Sequence, residues 1–360
     1  MKIIDKYIIK KFLGTFFYAI SLLIVIVVII DISEKIDSFI NNHAPFEAIV
    51  VDYYINFIPY FINLFIYLFT FISVIFFTSK MAADTEIIAI LSSGVSFWRL
   101  LKPYLYASIF LAILSFYLGN FLIPRTNHGR RIFTDTYLEK LTKDRNRDIH
   151  VQIEPGVFVY VESFDSKKKI GRKFSLEKFK GQKLVSKIMG DKLSWDEKAN
   201  KWKISSWFEH KLNSTTNEMD LTKGKELDTA LNLKPGDLYS VKQDFEEMNL
   251  WELNRYIARE KEKGSIAYKK YEVEKYKRIA GPVAIIILTF IGVALSSRKV
   301  RGGIGMHLAV GIALTFSYIL LLQISIVFSK MGNLPPSLGA WIPNFIYAII
   351  GIYLLIKAPK

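Results

Sequence analysis

The chain has 360 residues, of which 51% are hydrophobic and 14% aromatic, and its 48 Lys and Arg residues against 33 Asp and Glu residues give a formal charge of +15 at pH 7. It contains no cysteine, which excludes disulfide bonds, iron–sulfur clusters and thiol chemistry. The hydrophobic residues are concentrated in uncharged runs, and this distribution indicates a membrane protein with one large extramembrane domain.

Six apolar runs predict six transmembrane helices. Each run reaches the roughly 20 residues that cross a hydrocarbon core as a helix. A charge near the bilayer centre costs about 2.5–3.5 kcal/mol, so six runs without any charge are a strong signal. We predict helices 1–3 within residues 1–124, an inserted domain at 125–275, and helices 4–6 within 276–360. The runs are 12–30, 53–79, 103–124, 279–297, 302–329 and 331–356.

The basic residues of the short loops predict the orientation. Twelve Lys and Arg residues fall at the termini and in loops 80–102 and 298–301, against only Lys35 and Lys330 in the short loops opposite. The positive-inside rule therefore places both termini and these two loops in the cytoplasm, and the 125–275 domain outside. The first run is too long for a signal peptide and lacks a small-residue cleavage site, so it is expected to be an uncleaved span.

The inserted domain has the pattern of β-structure. Val157, Val159 and Val161 alternate with other residues after a Pro155–Gly156 turn, and residues 201–208 form a second candidate strand. Short strands separated by turns suggest an antiparallel sandwich or jelly roll. Residues 249–277 change to a helical period, which predicts a helical return to the membrane.

The sequence offers little catalytic chemistry. It has no phosphate-binding loop, no zinc-binding H-E-x-x-H helix and no G-x-S-x-G nucleophile elbow. The histidines lack metal-ligand spacing and are interpreted as solvated or packed imidazoles. Asp31, at the end of the first run, is expected to be an interfacial residue. We therefore expect neither a catalytic residue nor a bound metal or cofactor. The histidines are His43, His128, His150, His210 and His307.

Polar and small residues mark three helix faces inside the predicted spans. Asn56 and Asn63 lie on one face of span 2 with Tyr60, Tyr67 and Thr70. This face either forms hydrogen bonds between helices or lines a substrate cavity. Small residues in spans 3 and 5 allow close helix packing, either inside one bundle or, for span 5, against a second subunit. These stripes are Ser108, Ala112, Ser115 and Gly119, and Gly305, Ala309, Ala313 and Ser317.

The loop after span 2 predicts a short amphipathic helix at about residues 81–94. Asp84 or Thr85 is suited to the N-cap, Glu86 to the positive end of the helix dipole, and Gly94 to a left-handed C-terminal position. The apolar face of this helix would lie on the membrane surface or fill a groove of another protein. That face comprises Ile87, Ile90 and Leu91.

Four segments together make the whole chain resemble the LptF/LptG permeases, the membrane subunits of the lipopolysaccharide-export ABC transporter. They are residues 5–8, residues 86–94 followed by Pro103, residues 155–160, and residues 332–336. The E-x-x-x-x-x-x-S-G pattern at 86–94 is the most specific of them. The basic loop at 298–301 and the short C-terminal end are more similar to the LptG branch.

This resemblance implies a function. Family members pair as an LptF-like and an LptG-like subunit, carry a periplasmic β-jellyroll, and bind a cytoplasmic LptB-like ATPase dimer through coupling helices. They extract lipopolysaccharide from the inner membrane of a Gram-negative bacterium and pass it to an LptC/LptA-like bridge. ATP and Mg²⁺ would bind the partner, and no nucleic acid is involved. Glu86 matches the acidic position of the coupling helix, with Asp84, Ile87, Ile90, Leu91 and Gly94 around it.

One departure from the family concerns lipid binding. Family members often carry basic residues near the outer end of span 1, where this chain has Lys35 among acidic residues. Arg125, Arg130 and Arg131, beyond span 3, would then bind anionic headgroups or serve as ordinary interfacial anchors. Two rival functions stay open: a membrane scaffold for envelope assembly, which gives no reason for a capped cytoplasmic helix, and a lipid-modifying enzyme, which would need a cluster of catalytic groups.

Overall fold

The computed structural model describes residues 3–138, 147–165, 168–197, 199–212, 219–239, 245–298 and 303–358. It divides into two compact units. The first comprises Met1–Leu138, Phe245–Trp251 and Lys269–Lys360, and the second comprises Glu139–Asp244 and Glu252–Tyr268. The second unit is thus inserted into the first. Part of the predicted basic loop at 298–301 lies outside the described residues.

The described part of the first unit contains six helical segments long and apolar enough to cross a membrane, which confirms the predicted fold class. Two of the segments contain described π-helical turns, one at Ile49–Tyr54 and the other at both Leu118–Leu122 and Thr134–Leu138. The turn at Leu118–Leu122 ends two residues before Pro124, whose ring removes a backbone donor and so interrupts the regular hydrogen-bond ladder. The helices are α1 (Ile3–Asn41), α2 (Phe46–Ala48), α3 (Ile55–Ala83), α4 (Glu86–Ser92), α5 (Phe97–Tyr117), α6 (Ile123–Phe133), α9 (Tyr268–Ser296), α10 (Gly303–Lys330) and α11 (Pro336–Ile356), with α7 and α8 in the inserted region.

Helix α3 lies at the centre of this unit, where it packs against α1 on one side and α10 on the other. One hydrophobic cluster joins α1, α3, α4 and α5, and a second joins α3, α9, α10 and α11. The contact between α10 and α3 is close at Gly311, where an added Cβ would lie 2.2 Å from Cδ1 of Ile75. Among the six spans, α9 is the most buried and α1 the least.

The second unit contains one six-stranded antiparallel sheet whose strands pair in sequence order. The predicted strands at 157–161 and 201–208 lie in β2 and β5, and Gly156 makes the predicted turn with φ +76°. The antiparallel β-domain is confirmed, and the order of the described strands is that of a meander. The strands are β1 (Arg147–Glu154), β2 (Val157–Asp165), β3 (Ile170–Lys180), β4 (Lys183–Asp196), β5 (Lys201–Leu212) and β6 (Met219–Thr229).

The core of the second unit covers one face of the sheet. Trp202 is fully buried at its centre, and its indole N–H donates to the carbonyl oxygen of Leu233 at 2.7 Å. This bond satisfies a buried donor that would otherwise be costly. The core also includes Leu238 of α7 (Pro235–Tyr239). Helix α8 (Leu250–Glu262) buries Leu253 and Ile257, which agrees with the predicted helical period of this region.

Candidate functional site

The loop between the second and third spans contains a shorter helix than the sequence predicted. Residues 81–83 complete α3, and α4 spans Glu86–Ser92. The reason is Thr85, which adopts a left-handed conformation with φ 61° and so interrupts the helix. Thr85 occupies the N-cap position, although its side chain forms no capping hydrogen bond, and Asp84 ends α3 instead. Gly94 has φ +85°, the left-handed conformation expected for it.

The predicted apolar face of α4 points toward the chain's own bundle. Ile87 is 1% exposed in the cluster with α1, α3 and α5, and Ile90 and Leu91 pack against the same cluster while partly buried. The apolar side chains that remain accessible are Ile88, 53% exposed, and Trp98, 61% exposed. Ile88 is therefore the accessible large apolar side chain of α4, whereas Ile87, Ile90 and Leu91 hold α4 against the bundle.

The N-terminal turns of α1 contact the start of α4 and the start of α5. The Tyr7 hydroxyl donates to the Glu86 carboxylate, at 3.1 Å from Oε2 and 3.3 Å from Oε1. Arg99 donates from both terminal nitrogens to the two carboxylate oxygens of Asp5, each at 2.8 Å. Sequence reasoning missed both interactions, because the partners lie 79 and 94 residues apart and no local pattern joins them.

The opposite end of α1 contains an ion pair. Asp31 is 8% exposed, and Lys35 lies 2.5 Å from its Oδ1. Tyr54 donates to Oδ2 at 3.1 Å, and Lys35 also donates to the Tyr53 hydroxyl. The structure buries Asp31 and supplies the partners that a buried carboxylate needs, while its predicted position at the membrane interface stays a prediction. The positive charge of Lys35 is therefore paired with the negative charge of Asp31.

The three arginines beyond span 3 have different surroundings. Arg125 is exposed. The Arg130 guanidinium lies 5.6 Å from the centre of the Tyr60 ring, a cation–π distance. Arg131 forms an ion pair with Glu247, which also contacts His128 at 3.1 Å. Arg131 therefore ties α6 to the segment where the chain re-enters this unit.

Arg278 of α9 holds the same re-entrant segment, Phe245–Trp251. Its terminal nitrogens donate to the carbonyl oxygens of Met248 and Phe245, both at 2.7 Å, and its Nε donates to Glu274 at 3.2 Å. Two helices thus fix the re-entrant segment through arginine side chains. No local sequence pattern indicates this arrangement.

Two of the five polar residues on this face of span 2, Asn56 and Asn63, form hydrogen bonds within the chain. Ser115 of α5 donates to Oδ1 of Asn63 at 2.8 Å, and Asn56 donates to the carbonyl oxygen of Asp52 at 2.8 Å. The structure therefore favours hydrogen bonding between helices for Asn63. The small stripe on α5 has a similar role, since Ser108, Ala112 and Ser115 are buried in the bundle.

Most of the small stripe on α10 has no such packing. Gly305, Ala309 and Ala313 lie on the exposed side of the helix, and an added Cβ on Gly305 would meet no heavy atom within 4 Å. Ser317 is also exposed, but its hydroxyl shares a hydrogen bond with the Tyr347 hydroxyl of α11. The opposite side is buried and includes His307, Gly311, Thr315 and Tyr318. Of the alternatives raised by the sequence, packing within one bundle therefore accounts for Ser317 but not for the other three stripe residues.

Comparison with known proteins identifies the family of this chain. The model of the family described as lipopolysaccharide export system permease LptF/LptG matches residues 6–357. Two proteins named lipopolysaccharide export system permease protein LptG, from Escherichia coli strain K12 and from Escherichia coli O6:H1 strain CFT073, are each 20% identical over 376 aligned residues. Each alignment covers 99% of this chain and 98% of the relative. The chain therefore belongs to the lipopolysaccharide export system permease family LptF/LptG.

Proposed function

We propose that this chain is the LptG-like permease subunit of an ABC transporter that extracts lipopolysaccharide from the inner membrane and delivers it to a periplasmic protein bridge. The six apolar helices and the family make it an inner-membrane transport subunit that catalyses no reaction itself. Both termini and α4 face the cytoplasm in this proposal, and the β-domain faces the periplasm. ATP and Mg²⁺ bind to a separate ATPase dimer rather than to this chain.

The observation that carries the proposal is the surface of α4. Glu86 begins α4, Ile88 of α4 and Trp98 of α5 are exposed apolar side chains, and Ile87 anchors α4 to the bundle. A short helix that packs against its own bundle on one side and is exposed on the other is suited to insertion into a groove of a partner. The adjacent acidic group would bind a basic residue of that groove by a charge-assisted hydrogen bond.

The exposed small stripe of α10 supports pairing with a second six-span permease. In lipid, helices associate through close packing and hydrogen bonds, so an accessible run of Gly, Ala and Ser on an otherwise apolar helix favours a helix partner over lipid. A first span of the second permease could pack against this stripe. Movement between these two helices would then open a lateral entrance for lipid.

Lipid recognition is assigned to the basic residues that the chain's own ion pairs leave available. Arg125 is exposed, and the Arg130 guanidinium contacts the Tyr60 ring. Lys35 would have to exchange Asp31 for a lipid phosphate, and Arg131 would have to leave Glu247. Arg125 and Arg130 are therefore our first candidates for contact with the anionic headgroup.

Purification from native membranes tests the proposal. The tagged chain, expressed at its natural level, should recover a separate ATPase and a second six-span permease in stoichiometric amounts. Recovery without any ATPase would favour the scaffold alternative instead. A lipid-modifying enzyme would alter the lipid it binds, so mass spectrometry of the bound lipid gives a second readout, which should show unmodified lipopolysaccharide.

A further inference from the structure

The first two turns of α1 hold both ends of the segment that contains α4. The Asp5 side chain is only 6% exposed and receives two hydrogen bonds from Arg99. Two residues later, Tyr7 donates to Glu86. Glu86 begins α4, whereas Arg99 lies in the first turn of α5. The N-terminal end of α1 therefore contacts the chain both before and after the connection between α4 and α5.

The same three helices also share a buried apolar core. Ile8 and Phe12 of α1 are fully buried, and they belong to the same cluster as Ile87 of α4 and Phe97 and Leu101 of α5. A bidentate arginine–carboxylate pair fixes orientation as well as distance, because two parallel hydrogen bonds resist rotation. The N-terminal end of α1, α4 and the start of α5 are therefore expected to move together.

The middle of α1 is packed less tightly than its two ends. After Ile20, the next buried residue of α1 is Asp31, and residues 21–30, all of them described, are partly or fully exposed. A helix that is fixed at one end and little restrained along its middle transmits a displacement of the fixed end along its length.

We propose that Asp5, Tyr7, Glu86 and Arg99 form a clasp that positions the Glu86 carboxylate and transmits displacement of α4 to α1. The inference rests on the proposed function, in which a motor protein moves α4. It makes Tyr7 and Asp5 positioning residues: Tyr7 orients the acidic group that meets the motor, and Asp5 fixes α1 to the far side of the same loop. The clasp thus joins the motor-facing loop to the first span.

Tyr7→Phe tests the clasp because it removes one hydroxyl and leaves the ring in place. The chain would be reconstituted with its ATPase and second permease in proteoliposomes that contain lipopolysaccharide, and lipid release and ATP hydrolysis would be measured together. A hydrogen bond to a charged group is typically worth enough to change an equilibrium about ten- to a hundredfold. We therefore expect lipid released per ATP to fall by about that factor, with ATPase recovery unchanged.

Tyr18→Phe is the matched control, since Tyr18 lies on the same helix and is 73% exposed. Equal lipid release per ATP in the Tyr7 and Tyr18 variants would overturn the clasp, and so would a loss of ATPase recovery that fully explains the loss of transport. Failure of the wild-type chain to recruit any ATPase would instead overturn the proposed function, and the clasp with it.

A charge exchange provides a second test that does not depend on Tyr7. Asp5→Arg and Arg99→Asp each place two like charges together, and each should reduce lipid release per ATP. The double variant restores opposite charges and should recover a large part of it. Absence of recovery in a double variant that still assembles with the ATPase would contradict the role of Asp5 and Arg99.

Discussion

Two faces of α10 should respond differently to added side-chain volume. Ala313 lies on the exposed stripe, whereas Gly311 lies on the buried side, where an added Cβ would be 2.2 Å from Ile75 Cδ1 and 3.2 Å from Phe71 Cε1. Both neighbours are fully buried and have little room to move. The overpacking cost of Gly311→Ala, about 1–3 kcal/mol, should therefore exceed the gain in helix propensity of up to about 1 kcal/mol.

Ala313→Leu should have the opposite profile. The larger side chain meets no tight contact in the chain itself, so the thermal stability of the isolated chain should stay at the wild-type value. If the stripe packs against a second permease, the same overpacking cost of about 1–3 kcal/mol reduces the free energy of association. The affinity between the two permeases then falls by about fivefold to more than a hundredfold.

The assay compares three chains, the wild type and the two α10 variants. The midpoint of thermal unfolding in detergent would be measured for each, together with affinity for the second permease by fluorescence energy transfer in nanodiscs. Wild-type affinity for Ala313→Leu would refute an interface at the stripe. A lowered midpoint for Ala313→Leu alone would show that the stripe packs within the chain after all.

Two further predictions concern orientation and the basic residues. Single cysteines at Ser93 and Gln182, both exposed, should react with an impermeant maleimide from opposite sides of the membrane, and labelling of both from one side would contradict the orientation. Arg131→Gln removes the partner of Glu247 and should lower the thermal midpoint, by an amount equivalent to about 1 kcal/mol. Arg130→Gln should leave the midpoint unchanged and reduce photocrosslinking to lipopolysaccharide, and unaltered crosslinking would count against Arg130 as a headgroup ligand.

The membrane-spanning architecture could be predicted because its physical signal is local. A charge inside the hydrocarbon core is so costly that uncharged runs mark the spans directly. The ends of the helices are less well marked. The first apolar run ends at residue 30, yet α1 continues to Asn41. No Pro or Gly interrupts residues 15–41, and the Asp31–Lys35 pair, one helical turn apart, stabilises the continuation.

The contacts of the candidate site were beyond sequence reasoning for a different reason. Glu86 could be singled out from its position at a predicted helix start, but its partner Tyr7 lies 79 residues away. Likewise, Arg131 was recognisable as a basic residue near a membrane boundary, while its pairing with Glu247 depends on tertiary packing. The Lys35–Asp31 pair is one helical turn apart and could have been predicted, but the contacts of Asp31 with Tyr53 and Tyr54 could not. A residue's charge is visible in the sequence, but whether the fold has already neutralised it is not.

ATP-dependent release of lipopolysaccharide from proteoliposomes tests the central claim most directly. The vesicles would contain this chain, its ATPase and the second permease, and transfer of lipid to a soluble bridge protein would be followed by photocrosslinking. The account predicts transfer only with ATP, and a loss of transfer for Glu86→Ala, since truncating one partner of a buried charged contact commonly costs about 2–5 kcal/mol. Transfer that proceeds without ATP, or at the wild-type rate with Glu86→Ala, would contradict it.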